Sequence, residues 1–65
     1  MQAKVNDTVR LTEMLPNDGL LQGAIGVVVA EFSEPNEAYE VEFSNDEGVT
    51  VAQVALLPDQ FVVIK

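Results

Sequence analysis

A chain of 65 residues has room for one small domain, and with no cysteine and no histidine it holds no disulfide and no thiolate or imidazole metal site. Eleven acidic residues against three basic ones (Lys4, Arg10 and Lys65) give a formal net charge of −8, which repels phosphate backbones and anionic lipid. Nucleic acid and membrane are therefore not expected partners. Hydrophobic residues make up 48% of the chain, enough for one core and too many for a disordered segment. The first residues, Met-Gln-Ala-Lys-Val-Asn-Asp, lack the apolar stretch of a signal peptide, and no run is long enough to span a membrane. A cytoplasmic location is expected.

Val5, Val9 and Leu11 share one parity, and Thr8, Arg10 and Thr12 share the other. This alternation predicts a half-buried first strand, with Asp7 and Thr8 in the turn that leads into it. Leu-Pro-Asn-Asp-Gly follows at 15–19, where Pro16, Asn17, Asp18 and Gly19 favour a turn. Leu15, Leu20 and Leu21 flank it, so the long first loop is expected to fold back with some of these leucines buried.

Gly19, Gly23 and Gly26 then lead into Val27, Val28 and Val29. Branched Cβ atoms favour the pleated conformation, and glycine permits a sharp bend or a close backbone approach. This stretch is read as the bent, central second strand of a small closed barrel, running to Phe32. Pro35 and Asn36 mark a turn. Over 38–43, Tyr39, Val41 and Phe43 point one way and Glu40 and Glu42 the other, the clearest strand in the chain. Ser-Asn-Asp-Glu-Gly makes a hairpin turn with Gly48 at the left-handed position. A fourth strand covers 49–56, where Thr50 and Gln53 can both face out only across a bulge. Leu57-Pro58-Asp59-Gln60 suits one helical turn, and 61–64 a short fifth strand.

The fold expected from this order is all-β: a small five-stranded SH3-like barrel with a long first loop and one helical turn before the last strand. The partly open barrel that binds oligonucleotides or oligosaccharides is the alternative, but it calls for a longer chain and a helix between the third and fourth strands.

Asp-Thr-Val-Arg-Leu-Thr, Leu-Pro, Gly-Leu-x-x-Gly-x-x-Gly-x-Val-Val, Tyr-Glu-Val-Glu-Phe and Leu-Pro-Asp-Gln-Phe together resemble a family of small bacterial proteins, often cyanobacterial, known as a domain of unknown function. The resemblance runs from Asp7 to Val63 and implies a stand-alone SH3-like barrel; it supplies no catalytic residues, because the family has no established chemistry. It also implies a neighbour: members tend to be encoded beside other small proteins, as in toxin–antitoxin pairs. Ala24 and Val27 depart from the family pattern, standing where polar residues are common. Gly23-x-x-Gly26-x-Val28 is also similar to a barrel motif of ribosomal and transcription-elongation proteins. Those proteins carry basic residues around the glycines, and this chain has none between Arg10 and Lys65.

Side chains that carry chemistry are few. Without histidine or cysteine, the usual general base and nucleophile pairs are missing. Glu40 and Glu42 lie about 7 Å apart along one strand face, with Glu31 expected beside them on the neighbouring strand. Paired carboxylates suit a glycosidase, but that chemistry needs a larger cleft than this domain offers. Asn45-Asp46-Glu47 offers oxygen atoms to calcium without the spacing of a loop site. Gly23 and Gly26 lack the following lysine and helix of a phosphate loop. One tyrosine and no tryptophan make a polyproline groove a poor fit, so Tyr39 is assigned to the core with its hydroxyl at the rim.

The function expected is that of a non-enzymatic protein-binding module, without cofactor or metal. It fits the acidic, antitoxin- or immunity-like member of a small-protein pair. A basic partner protein would meet Glu31, Glu40 and Glu42, with Asp46 and Glu47 at the end of that face. The alternative is an accessory or structural subunit of a larger complex, docking through an apolar patch at 61–64. Acidity that serves solubility alone is the competing explanation of the charge.

Overall fold

A computed structural model describes residues 2–64, so Lys65 lies outside the described residues. Five strands, β1 (Thr8–Leu11), β2 (Ile25–Phe32), β3 (Ala38–Ser44), β4 (Thr50–Leu56) and β5 (Phe61–Ile64), form one antiparallel sheet in the order β4-β3-β2-β1-β5. Two 3-10 turns, Pro16–Asp18 and Pro58–Gln60, interrupt the first loop and precede the last strand. β2 is central, as two apolar faces demand. The sheet curls on itself: the Tyr39 ring on β3 meets Phe61 on β5 edge-on, 5.3 Å apart at 83°, although two strands lie between them in the sheet.

Alternation decides what is buried. Val9 and Leu11 of β1, Val28 of β2, Tyr39, Val41 and Phe43 of β3, Leu56 of β4 and Phe61 of β5 form the core, with Ala3 and Leu20. Of the loop leucines, Leu20 is buried and Leu15 half-buried, while Leu21 is 72% exposed. The Leu15–Leu20 bridge pins the loop, through the Leu15 N–H on the Leu20 carbonyl (2.8 Å) and the Leu20 N–H on the Leu15 carbonyl (3.1 Å).

The turn before β1 lies earlier than the residue pattern places it. Val5 and Asn6 form it, Asn6 has φ 79°, and Thr8 is already in the strand. The Asp7 carboxylate accepts the Lys4 N–H at 2.9 Å, and the Asp7 N–H donates to the Lys4 carbonyl at 3.0 Å. An asparagine tolerates the left-handed conformation, and the Asx-type bond competes with a straight strand. Val5 is therefore exposed and contributes nothing to the core.

Two bulges adjust the register. One falls between Val28 and Ala30 of β2, and the other lets Phe43 pair with Ala52 while Ser44 pairs with Thr50. Val51 is the extra residue, which settles how Thr50 and Gln53 both face solvent.

Tyr39 ties the amino-terminal segment to the sheet. Its ring is fully buried, and its hydroxyl accepts the N–H groups of Gln2 (2.9 Å) and Ala3 (3.3 Å) while donating to Glu37. The Glu37 carboxylate also accepts the Gln2 N–H at 3.1 Å. The Tyr39 bond, then the Gln2 N–H, hold the Glu37 carboxyl below its ordinary value, while burial, then the bond to Glu37, push the Tyr39 hydroxyl up. A carboxyl held low in the folded state stabilises it above the ordinary value of 4.5, and that contribution is lost as pH falls through the folded value. Tyr39→Phe keeps the ring packing but leaves the buried Ala3 N–H without its acceptor, so we expect a loss of about 1–3 kcal/mol at neutral pH. Urea titrations of both proteins check it: the gap should narrow on acidification below the glutamate range, and an equal gap at both pH values would remove Glu37 from the latch.

Candidate protein-interaction surface

β3 builds the surface. With Tyr39, Val41 and Phe43 inward, Glu40 and Glu42 must face out, and both are half-buried on the sheet. Their cross-strand neighbours are neutral: Ala55 and Gln53 on β4, Ala30 and Val27 on β2. The Gln53 side-chain amide donates to the Glu40 carboxylate at 3.1 Å, fixing one acid against the neighbouring strand.

Glu31 is not beside them. The β2 bulge sets Ala30 opposite Glu40 and Glu31 opposite Tyr39, so Glu31 carries the parity of the inward side chains and projects at the exposed end of the strand. Simple alternation from Val27 would have put Glu31 on the outer face; the one extra residue reverses it.

Asp46 and Glu47 sit in the β3–β4 turn, beyond the Glu42 end of the row, and both are exposed. Gly48 takes φ 80°, the left-handed position that the hairpin requires. The Asn45 side-chain oxygen accepts the N–H groups of Glu47 (2.9 Å) and Val49 (3.0 Å). That oxygen is committed to shaping the turn, which leaves Asn45-Asp46-Glu47 a poor calcium loop. Among the described residues no group of three or more His, Cys, Asp or Glu side chains is placed to hold a metal, and no pocket is present. Glu40 and Glu42 thus stand on an open face rather than in a cleft.

The other half of the outer face is apolar, a feature the residue pattern did not expose. Arg10 of β1 lies between Ile25 of β2 and Val62 of β5, and Val27 stands one step along β2. Ile25 is 49% exposed, Val27 and Val62 each 40%. The shared parity of Ile25 and Val27 was the available signal, but in a strand apolar on both faces it is indistinguishable from core. At 61–64 the expected patch divides by parity: Phe61 is buried and Val62 faces out.

No helix among the described residues is long and apolar enough to cross a membrane. No curated protein and no solved structure matches the chain. A family model described as a domain of unknown function, DUF4926, matches residues 5–63, nearly the whole domain from the first turn to the last strand. The chain belongs to that family.

Proposed function

We propose that this protein is a non-enzymatic, SH3-like protein-binding module whose partner is a basic protein met by the Glu40–Glu42 face and the Asp46–Glu47 turn. One observation carries the reading: Glu31 to Glu47 holds seven acids and no base, and β3 sets two of them side by side on an open sheet face. Unpaired like charge destabilises a small domain through self-repulsion, so its concentration there fits a surface whose complement is supplied by another molecule. The strand order and the 3-10 turn before β5 support the SH3-like assignment. The acidic, antitoxin- or immunity-like member of a cytoplasmic small-protein pair is the role that matches this charge.

A second reading, an accessory subunit of a larger complex, is favoured by the Ile25, Val27 and Val62 strip. The two readings separate in one experiment. The partner is captured from the native host, and its binding kinetics are compared for wild type and the double variant Glu40→Gln, Glu42→Gln. We expect the double variant to associate more slowly by roughly tenfold, with dissociation and fold stability nearly unchanged. An unchanged on-rate, with binding lost on Val27→Lys instead, would favour the accessory-subunit reading.

A further inference from the structure

The geometry points to β4 as a docking edge that accepts an extended basic segment of the partner by strand addition, an inference that rests on the basic-partner reading above. β4 ends the sheet order, and Thr50–Leu56 carries no charged residue and no proline, the devices that ordinarily blunt an edge. Its only guard is the bulge at Val51, which leaves the run from Ala52 to Leu56 in regular register with β3.

The direction of the free backbone groups follows from hydrogen bonds two strands away. Val28 spends its N–H on the Asp7 carbonyl (2.9 Å) and its carbonyl on the Asn6 N–H (2.8 Å), both on the β1 side. Val41, opposite Val28, must therefore turn its own pair toward Val54 of β4. Alternation leaves Gln53 and Ala55 with N–H and C=O directed off the sheet, and among the described residues no backbone or side-chain group bonds to them.

Chemistry of the two faces fixes the occupant. A strand laid along this edge places alternate side chains over the half-buried Ala52 and Val54, where apolar residues fit. The intervening side chains lie beside Gln53 and Ala55, two strand spacings, about 9.6 Å, from the Glu40–Glu42 row on β3. Long lysine or arginine side chains reach those carboxylates across the small Ala55. The segment recognised is thus one that alternates basic and apolar residues. A second copy of this chain does not fit: Arg10 to Lys65 encloses no basic residue, and two chains of formal charge −8 repel.

The test uses the full chain and a ten-residue peptide of alternating lysine and valine, with a glutamate–valine peptide as control, followed by amide NMR. The lysine peptide should shift and protect the Gln53 and Ala55 amides saturably, and the glutamate peptide should not. Ala55→Pro removes an outward N–H without touching the β3 ladder, so it should fold and weaken peptide binding at least tenfold. Should Ala55→Pro unfold the domain, a peptide N-methylated at alternate valines serves the same purpose and should lose binding equally. Shifts centred on Val27 and Val62, undiminished binding by the blocked partner, or no saturable shift at all would overturn strand addition. The basic-partner reading fails separately: its test is the on-rate of the captured protein, which Glu40→Gln, Glu42→Gln slows even where Ala55→Pro leaves binding intact.

Discussion

Phe43→Ala is expected to cost about 3–5 kcal/mol. Phe43 is only 2% exposed, packs on the inner face of β3, and lies against Gly26 of β2 and opposite Ala52 of β4. Removing the ring exposes apolar surface to a cavity that strands on both sides, fixed by their ladders, cannot close. A domain of this length has about 3–10 kcal/mol of stability in all, at roughly 0.05–0.15 kcal/mol per residue. The variant should therefore be largely unfolded or unfold at very low urea. Glu42→Gln, on the adjacent residue but facing solvent, should shift the urea midpoint hardly at all. A reversal of the two effects would mean that β3 faces the other way.

Gly26→Val is the second large effect, and its cause is contact rather than conformation. Gly26 has no positive φ; it sits inside β2, facing the core. A Cβ added there would stand 2.7 Å from Val41 Cγ1 and 2.9 Å from Phe43 Cδ1 and Cε1, closer than carbon atoms tolerate. The two further methyl groups of valine worsen the overlap, so β2 must move away from β3 or Phe43 must leave its rotamer. Overpacking of this kind costs about 1–3 kcal/mol, occasionally more. Stability by urea titration should fall in the order Gly, Ala, Val. Combining Gly26→Ala with Phe43→Leu should recover part of the loss, a coupling that only direct contact produces. A Gly26→Val protein as stable as wild type would place Gly26 outside the core.

The strands were legible where alternation ran unbroken. Tyr39, Glu40, Val41, Glu42 and Phe43 announce both the strand and its orientation, and the structure keeps each on its assigned face. In the fourth strand Thr50 and Gln53 left the parity open, since both could face out only across a bulge, and the register supplies that bulge at Val51. The bulge in β2 was silent, because Val27, Val28 and Val29 are all apolar and give no sign of where parity breaks. Glu31 was misplaced for that reason alone. The turn at Val5 and Asn6 was hidden by a similar coincidence: Val5 shares the parity of Val9 and Leu11, and only the Lys4–Asp7 bonds decide that the chain bends there. Tyr39 could be assigned to the core from parity, whereas its bonds to Gln2, Ala3 and Glu37 depend on a segment whose composition shows no element. The face shared by Ile25, Val27 and Val62 required the register of three strands at once.

Whether the charge of this surface is used on a partner is measured most directly by the salt dependence of association. Between about 0.1 and 1 M salt the Debye length falls from about 10 to 3 Å, which screens attraction across solvent but barely alters packed contacts. The on-rate of the captured partner should fall steeply over this range for wild type and much less for Glu40→Gln, Glu42→Gln, with off-rates changing little. An on-rate indifferent to salt, or a captured partner that is itself acidic, would contradict the account and leave the acidity as a property of solubility alone.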